Sequence, residues 1–329
     1  MIKRDVENIF RKGNNFLLAS HLNPDGDAVG SLLGLGLTLR ELGKNVTITS
    51  PHPVPRTFSF LPGYELIQEP GNLNSLTFDV GVVLDCTEVE RTGKETEGLL
   101  KNCNTLLNID HHVSNTNFGN LNLVDTDAAA TGELIFEILE EMGVPITPEI
   151  ATNLYVAIVT DTGSFQHQNT TARCHRNAAS LLGLGAAHAR AYQLLYEERS
   201  LKSMRLLEKC LRTLSVSEDG LVAWMAVPQK YLIETGCGIE ECEDLVNYPK
   251  SISGVEVGIL FKQVSNNEVK VSFRSKSYVD VNSLAASFGG GGHERAAGCT
   301  VHGTLKDVER RVLAATVNFL LDAKGATST

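Results

Sequence analysis

The run Asn108-Ile109-Asp110-His111-His112 ends an apolar segment with an acid and two imidazoles, and similar endings recur along the chain. The other apolar runs are followed by His21, with Asp25 and Asp27 just beyond it, by Asp85 and by Asp161. Each run predicts a buried strand of a parallel sheet, and in such sheets the groups that bind ligands lie just beyond the carboxyl ends of the strands. The pattern therefore predicts four strands that bring acids and imidazoles to one edge of an α/β sheet.

These side chains form a ligand set that suits divalent cations. Taken singly, an Asp after an apolar run is more often a turn residue or a helix cap, and Asn23-Pro24-Asp25-Gly26-Asp27 could be only a tight turn. Their joint occurrence favours a metal site, because His-x-x-x-Asp-x-Asp after one strand and Asp-His-His after another is a specific combination. Two His and four Asp fit two cations. The mixture of imidazole and carboxylate favours Mn²⁺ over Mg²⁺, and Co²⁺ is a further candidate.

The order of these motifs resembles the DHH phosphoesterase superfamily, and more narrowly the short DHH/DHHA1 proteins of the nanoRNase type. The resemblance includes the later run Gly289-Gly290-Gly291-Gly292-His293-Glu294-Arg295 and covers nearly the whole chain. It implies a metal-dependent hydrolase that degrades oligoribonucleotides and dephosphorylates 3′-phosphoadenosine 5′-phosphate (pAp). It also implies the ligand sets: His21 and Asp25 for one metal, Asp27, His111 and Asp161 for the other, and Asp85 as the bridge. Asp110 would orient an imidazole, and His112 would face the scissile phosphate.

The glycine run in the second half is assigned to substrate binding. A glycine run is often only a flexible joint, but backbone N–H groups beside His and Arg also suit a phosphate. By the resemblance this loop grips the substrate, and guanidinium groups hold its non-scissile phosphate bidentately. Phe165 is a candidate for base stacking, with a place in the core as the alternative. The substrate-binding candidates are Arg274, Gly290, Gly291, Gly292, His293, Arg295 and Phe165.

Length and charge set limits on the substrate. The chain has 329 residues, of which 42% are hydrophobic, and this is more than one typical core holds. Its 29 basic and 39 acidic residues give a net charge of −10, which disfavours a long binding track for duplex nucleic acid. Two bound cations would reverse the sign of the charge locally, so short anions remain good substrates. We expect single-stranded RNA of two to about five nucleotides, pAp and linear dinucleotides.

Strand and helix patterns alternate along the chain and predict an α/β fold in two parts. Residues 1–185 form a DHH catalytic domain with a parallel sheet covered by helices, 186–211 a helical connector, and 212–329 a smaller α/β DHHA1 domain. In the first part, strands are predicted at 16–20, 46–49, 78–84 and 105–109, and helices at 28–42, 131–142 and 148–159. In the second part, strands are predicted at 221–227, 255–263 and 269–274, and helices at 281–288 and 305–321. Because 148–159 has helical periodicity, Asp161 follows either a strand or a helix.

Cysteine usage and the apolar runs bear on the compartment. The seven cysteines include no Cys-x-x-Cys pair, which disfavours a zinc site or a disulfide framework and favours a reducing cytoplasm. The first residues turn acidic at once, and no apolar run is long enough to span a bilayer. We therefore expect a cytoplasmic protein that does not bind membranes. The oligomeric state stays open, with a homodimer among the alternatives.

Other activities share parts of this pattern. A phosphodiesterase for cyclic-di-AMP or linear pApA uses the same constellation, and a family II pyrophosphatase shares the metal motifs, although the glycine-rich loop suits a nucleotide better than pyrophosphate. A RecJ-like exonuclease is disfavoured by the acidic charge. A nucleotide-binding regulator without turnover needs neither a bridging Asp85 nor a further histidine, His112, beside it. Many relatives carry Arg after the aromatic residue where this chain has Gln166, so that phosphate contact is not carried over.

Overall fold

The structure is a computed structural model that describes residues 2–73 and 76–326. It divides into two compact units, Met1–Glu198 and Arg199–Thr329, and each has its own hydrophobic core. The division falls within the helical connector predicted at 186–211. Residues 1, 74, 75 and 327–329 of the two predicted domains lie outside the described residues.

The first unit is built on a six-stranded parallel sheet with the strand order β3-β2-β1-β4-β5-β6. The strands are β1 Asn15–Ala19, β2 Asn45–Thr49, β3 Ile67–Gln68, β4 Val80–Leu84, β5 Thr105–Asp110 and β6 Leu121–Val124. The order reverses between β1 and β4, and in open α/β sheets the ligand site lies at this switch point, beyond the carboxyl ends of the strands. The predicted parallel sheet is confirmed, although the sequence pattern missed the outer strands β3 and β6.

Helices cover this sheet on both faces, as the alternating pattern predicts. They are α1 Ile2–Lys12, α2 Gly26–Glu41, α3 Lys94–Leu100, α4 Thr131–Met142, α5 Pro148–Asp161, α6 Ala172–Gly183 and α7 His188–Tyr192. A π-helical turn, Gln193–Glu197, follows α7. The sequence pattern predicted α2, α4 and α5 but missed α1 and the short α3.

Helices α2 and α5 cross closely because glycines on α2 leave room for the α5 backbone. A Cβ atom on Gly30 would lie 2.4 Å from the carbonyl oxygen of Asn153, and one on Gly26 would lie 2.4 Å from Thr160 Oγ1. A larger residue at Gly30 would collide with backbone and push the two helices apart. The start of α2, which carries two of the predicted ligands, therefore meets the end of α5, which carries a third.

Asp161 is the last residue of helix α5, so the expectation of a fourth strand is wrong and the helical alternative is confirmed. Thr147 caps the helix by accepting a hydrogen bond from the Ile150 N–H, and Pro148 lies in the first turn. Most residues of the helix are buried, and an apolar run that is buried on all sides looks alike in a strand and in a helix. Three strand ends and two helix ends thus supply the acids and imidazoles.

The second unit is a smaller α/β domain around a mixed sheet with the strand order β11-β12-β10-β9-β8-β7. Strands β8 and β9 are parallel, and the other neighbouring pairs are antiparallel. The strands are β7 Ser215–Val216, β8 Val222–Val227, β9 Val257–Ser265, β10 Glu268–Ser275, β11 Gly291–His293 and β12 Ala296–His302. The helices are α8 Leu201–Leu211, α9 Gln229–Thr235, α10 Asn247–Ser251, α11 Val281–Ala286 and α12 Leu305–Ala326. Across the described ranges, no helix combines the length and the apolar character that crossing a membrane requires.

Candidate metal centre

The first cluster of predicted ligands forms at the end of β1. His21 Nε2 lies 3.6 Å from Asp85 Oδ2 and 3.9 Å from Asp25 Oδ2. The other ring nitrogen, Nδ1, lies 2.7 Å from the Leu22 carbonyl oxygen, to which it donates a hydrogen bond. That bond fixes the tautomer and leaves Nε2 as the nitrogen that can bind a cation.

The second cluster forms at the end of β5. His111 Nε2 lies 3.5 Å from Asp85 Oδ1, 3.7 Å from Asp161 Oδ2 and 3.8 Å from Asp27 Oδ2. These separations are too long for good hydrogen bonds. They fit side chains that share one cation, because ligands about 2.1 Å from an ion lie roughly 3 to 3.5 Å from one another. The structure therefore brings together every predicted ligand in two adjoining groups.

Asp85 belongs to the group of His21 and Asp25, and it forms a further group with His111 and His112. Its two carboxylate oxygens face different imidazoles, Oδ1 towards His111 and Oδ2 towards His21, and Thr131 Oγ1 lies 3.3 Å from Oδ1. Its backbone has φ of +53°, a left-handed conformation that is uncommon outside glycine and tends to occur at functional sites. One carboxylate is thus placed to contact two cations at once.

Backbone N–H groups at the start of helix α4 hold Asp27. Thr131 N–H donates to Oδ2 at 2.6 Å, and Gly132 N–H donates to Oδ1 at 2.9 Å. Ser31 Oγ donates a further bond to Oδ1 at 2.9 Å. The first N–H groups of a helix have no partner within the helix, so they are well suited to orient a carboxylate. Thr131 and Gly132 were candidates for N–H donors at a helix N-terminus, with a simple cap as the alternative, but their bonds to Asp27 were not predicted from the sequence.

The acids of the centre repel one another in the absence of cations. Burial and the charge of Asp85 raise the pKa of Asp27 well above its usual range, and burial together with Asp85 raises the pKa of Asp161 to about 7. Burial opposes the charging of His21, but the Asp85 carboxylate outweighs it and raises the pKa of His21 to about 9. Bound cations would displace the protons from these groups, as expected for carboxylates and imidazoles that bind a metal.

These pKa values predict that metal binding depends on pH. Mn²⁺ affinity for the metal-free protein should rise with pH up to about 9, most steeply below about 7, because Asp161 and His21 must lose protons with raised pKa values of about 7 and about 9 before they can bind. For each proton that Mn²⁺ displaces, the affinity for Mn²⁺ rises about tenfold per pH unit below the pKa of that group. Calorimetric titrations in buffers of different ionisation enthalpy would count the released protons, and affinity that does not change with pH would contradict the assignment.

His112 lies beside the two clusters with one nitrogen already occupied. Its Nδ1 lies 2.7 Å from Asp110 Oδ1, and the fully buried Asp110 also accepts the His111 N–H at 2.8 Å. Burial opposes ionisation of Asp110, but the bond from His112 outweighs it and lowers the pKa of Asp110. This geometry fits the predicted role of Asp110, which holds the His112 ring through Nδ1.

Asn169 holds the carboxylate of Asp161. Its Nδ2 lies 3.2 Å from Asp161 Oδ2, 3.2 Å from the Asp161 carbonyl oxygen and 3.0 Å from the Ala129 carbonyl oxygen. Three successive residues with positive φ, Gly163, Ser164 and Phe165, turn the chain sharply after α5. The sequence analysis missed Asn169, although its place eight residues after a predicted ligand was the available signal.

Phe165 packs partly into the core of the first unit. One face stacks on His175 with the ring centroids 5.0 Å apart, and its edge meets Tyr155 at 6.5 Å. The alternative interpretation of Phe165 as a core residue therefore fits much of its side chain. Stacking of a base on Phe165 stays a prediction.

The glycine run of the second unit is an ordered strand rather than a flexible joint. Residues Gly291–His293 form β11, the edge strand that pairs with β12. A Cβ atom on Gly290 would lie 2.2 Å from the Gly298 carbonyl oxygen, and Gly292 has φ of +152°. An edge strand leaves one row of backbone groups outside the sheet. These glycines therefore bring exposed backbone beside His293, as the predicted phosphate contact needs.

Three cationic side chains of the second unit lie in different places: Arg274 on β10, Lys250 on α10 and Arg295 between β11 and β12. Arg295 Nη1 donates to the Val279 carbonyl oxygen at 2.9 Å, so part of this guanidinium is held by the fold. Arg274 on β10 lies opposite Gly258 of β9, and a Cβ atom on Gly258 would lie 2.6 Å from the backbone nitrogen of Lys250. The glycine therefore lets Lys250 approach Arg274. Burial and the charge of Arg274 lower the pKa of Lys250. Lys250 was not predicted from the sequence as a binding residue.

Known proteins share the sequence and the fold of this chain. The N-terminal domain of the DHH family matches residues 15–158, and the DHHA1 domain matches residues 226–321. The bifunctional oligoribonuclease and PAP phosphatase NrnA of Thermus thermophilus is 36% identical over 302 residues, which are 91% of this chain and 88% of that protein. The protein of the same name from Bacillus subtilis is 30% identical over 88% of this chain and 90% of that protein.

The fold also has a counterpart among solved structures. The crystal structure of an exopolyphosphatase-related protein from Bacteroides fragilis matches 99% of this chain and 97% of its own, with 25% identity and a TM-score of 0.91. Both family domains therefore occur here in the order and over the length that the relatives have. With the two matched domains and the relative that is 36% identical over nearly its full length, the chain belongs to the DHH/DHHA1 family of phosphoesterases.

Proposed function

We propose that this protein is a metal-dependent hydrolase that cleaves short oligoribonucleotides to mononucleotides and converts pAp to AMP. One observation carries the proposal: the two oxygens of Asp85 face His21 and His111 in two adjoining ligand groups. The names of the relatives from Thermus thermophilus and Bacillus subtilis, which describe an oligoribonuclease and PAP phosphatase, support the choice of substrates.

The ligand set fits two divalent cations. His21 and Asp25 would hold one, Asp27, His111 and Asp161 would hold the other, and Asp85 would contact both. The imidazoles favour Mn²⁺ over Mg²⁺, and Ca²⁺ should support little turnover. Such a pair of cations supplies a water molecule of lowered pKa and stabilises negative charge on the phosphoryl oxygens.

Side chains and backbone groups of the protein orient the residues that would act on the phosphate or hold the cations. Asp110 holds Nδ1 of His112, so that Nε2 can donate a hydrogen bond to the phosphate as negative charge develops on its oxygens. Asn169 and the α4 N–H groups keep Asp161 and Asp27 in place. A ribose oxygen is the leaving group in both substrates.

The second unit would bind the phosphates that are not cleaved. Arg274 and Lys250 lie close together there, and paired cations suit a phosphate in a protein whose net charge is −10. The exposed backbone of Gly291 and Gly292, with His293 and Arg295, would add hydrogen bonds. We expect substrates of two to about five nucleotides.

A substitution in this group separates binding from chemistry. Arg274→Ala should raise KM for a dinucleotide by about 5- to 150-fold, which corresponds to a lost charge-assisted hydrogen bond of about 1–3 kcal/mol. Lys250→Ala should act in the same direction, whereas Lys270→Ala, an exposed lysine on the same strand as Arg274, is the matched control. Hydrolysis of bis-p-nitrophenyl phosphate, which has no second phosphate, should stay unchanged. Equal losses on both substrates would mean that Arg274 builds the catalytic centre.

A panel of substrates tests the proposed function. Purified full-length protein with Mn²⁺ would be incubated with 5′-labelled RNAs of two to ten nucleotides, pAp, cyclic dinucleotides and pyrophosphate, and kcat/KM compared. The proposal predicts the highest values for pAp and the shortest RNAs. Highest values for cyclic-di-AMP would make the protein a cyclic-dinucleotide phosphodiesterase, and tight binding of pAp without turnover would make it a regulator.

The cysteines suggest where this activity operates. All seven are free, and six of them are buried, which is typical of proteins in a reducing compartment. We place the enzyme in the cytoplasm on this basis. Gel filtration with light scattering would establish whether it works as a monomer or a homodimer.

A further inference from the structure

Two asparagines lie beneath the ring of His112. Asn115 Nδ2 lies 2.5 Å from Asp110 Oδ2, 2.8 Å from Asn108 Oδ1 and 3.1 Å from the Cys86 carbonyl oxygen. Asn115 follows in the turn directly after the Asp-His-His motif, and its N–H donates to the His112 carbonyl oxygen at 3.2 Å.

Asn115 completes the hydrogen bonding of a fully buried carboxylate. Oδ1 of Asp110 receives the His111 N–H and Nδ1 of His112, while Oδ2 receives the bond from Asn115. Asp110 is 0% exposed, and a buried carboxylate oxygen without a donor is costly. Without Asn115, Asp110 would therefore rotate or take up a proton, and the bond to His112 would weaken.

The orientation of the Asn115 amide is fixed on both sides. Its Oδ1 accepts the Asn117 N–H at 2.7 Å, so its Nδ2 must face Asp110. Asn108 is fixed in the same way, because its Nδ2 lies 3.2 Å from the Val83 carbonyl oxygen and 3.3 Å from that of Cys86. Asn108 is fully buried and can only accept from Asn115. The bonds thus link the core of the sheet to the His112 ring: Asn115 donates to both Asn108 and Asp110, and Asp110 accepts from both Asn115 and His112.

We propose that Asn115 is a positioning residue for the reaction, which acts on His112 through Asp110. It holds the Asp110 carboxylate in the plane that receives Nδ1, and so keeps Nε2 of His112 aimed at the substrate. Asn108 orients the side-chain amide of Asn115 by accepting a hydrogen bond from it. The inference rests on the proposed function in one respect, because it takes His112 to act on the phosphate.

Turnover of pAp provides the first test. Asn115→Ala should lower kcat by about 10- to 100-fold, the usual range for a residue that orients a catalytic group, while KM changes less than about threefold. Asn122→Ala is the matched control, because the side-chain amide of Asn122, on strand β6, bonds only to Gly119 among the contacts described. It should keep the wild-type kcat. If Asn115→Ala does not fold, Asn115→Ser, which keeps a polar group in the turn, replaces it.

A double-mutant cycle separates positioning from a general structural role. In a His112→Ala background, Asn115→Ala should change kcat by less than about twofold, because the ring that it positions is already gone. A structural role would lower kcat by the same factor in both backgrounds and would overturn the proposal.

A spectroscopic signal tests the same chain of bonds without turnover. In metal-free protein labelled with ¹⁵N-histidine, the Nδ1 proton of His112 should resonate downfield, as expected for a proton shared with Asp110. In Asn115→Ala it should shift upfield or exchange faster with water, and in Asn122→Ala it should not change. An unchanged resonance in Asn115→Ala would overturn the proposal. If the wild type hydrolyses nothing in the substrate panel, the proposed function fails, yet this resonance still decides whether Asn115 orients His112.

Discussion

Asp85→Ala should lower kcat/KM for pAp by about a thousandfold or more and should weaken both metal sites together. The reason is the geometry of its carboxylate: Oδ1 lies 3.5 Å from His111 Nε2, and Oδ2 lies 3.6 Å from His21 Nε2. A group shared by two cations loses stabilisation at both, and several kcal/mol correspond to at least three orders of magnitude. Mn²⁺ binding by calorimetry and turnover would be measured on the same preparation.

The control for this change is an aspartate at the other end of the same strand. Asp79 precedes β4, and its Oδ2 accepts the N–H groups of Asn14 and Asn15 at 3.1 and 3.0 Å. Asp79→Ala should lower thermal stability without changing the number of bound Mn²⁺ ions.

Asp85→Asn keeps the shape of the side chain and should still lose most activity, because the bridge needs a negative charge. Two tightly bound ions and normal turnover in Asp85→Ala would remove Asp85 from the bridging role.

His112→Ala should lower kcat by about 10²- to 10⁴-fold while both metal sites stay filled. The imidazole is held through Nδ1 by Asp110 at 2.7 Å and acts through its other nitrogen. A group that acts only in the transition state affects kcat and kcat/KM to the same extent. Mn²⁺ stoichiometry, kcat and KM for pAp are the measurements.

The control for His112 is an exposed histidine of the second unit. His302→Ala, at the end of β12, should match the wild type in all three quantities. Loss of bound Mn²⁺ from His112→Ala would instead make His112 a ligand, which its position within 4.8 Å of Asp85 and His111 allows in geometric terms.

The strands were predictable where the apolar runs are long. Acids or imidazoles follow several of these runs. Strands β1, β2, β4 and β5 each gave a clear run, and the topology of an α/β sheet then placed their ends at one edge. The outer strands β3 and β6 have two and four residues, which is too short for a pattern. The run before Asp161 had no strand-specific feature, because helix α5 is buried nearly all round.

The candidate site was predictable in its ligands but not in the groups that hold them. Charged residues at strand ends form a pattern in the sequence, and His21, Asp85 and His111 were found in this way. Asn115 and Asn169 carry no charge and act through hydrogen bonds that only the folded chain creates. Lys250 approaches Arg274 because Gly258 has no side chain, and this close contact depends on the register in which β9 pairs with β10.

The location of bound manganese in crystals tests the central claim most directly. An anomalous difference map recorded at the Mn absorption edge should show two peaks about 3.5–4 Å apart, one beside His21 and one beside His111, with the Asp85 carboxylate in contact with both. A single peak, or two peaks of which only one touches Asp85, would contradict the account.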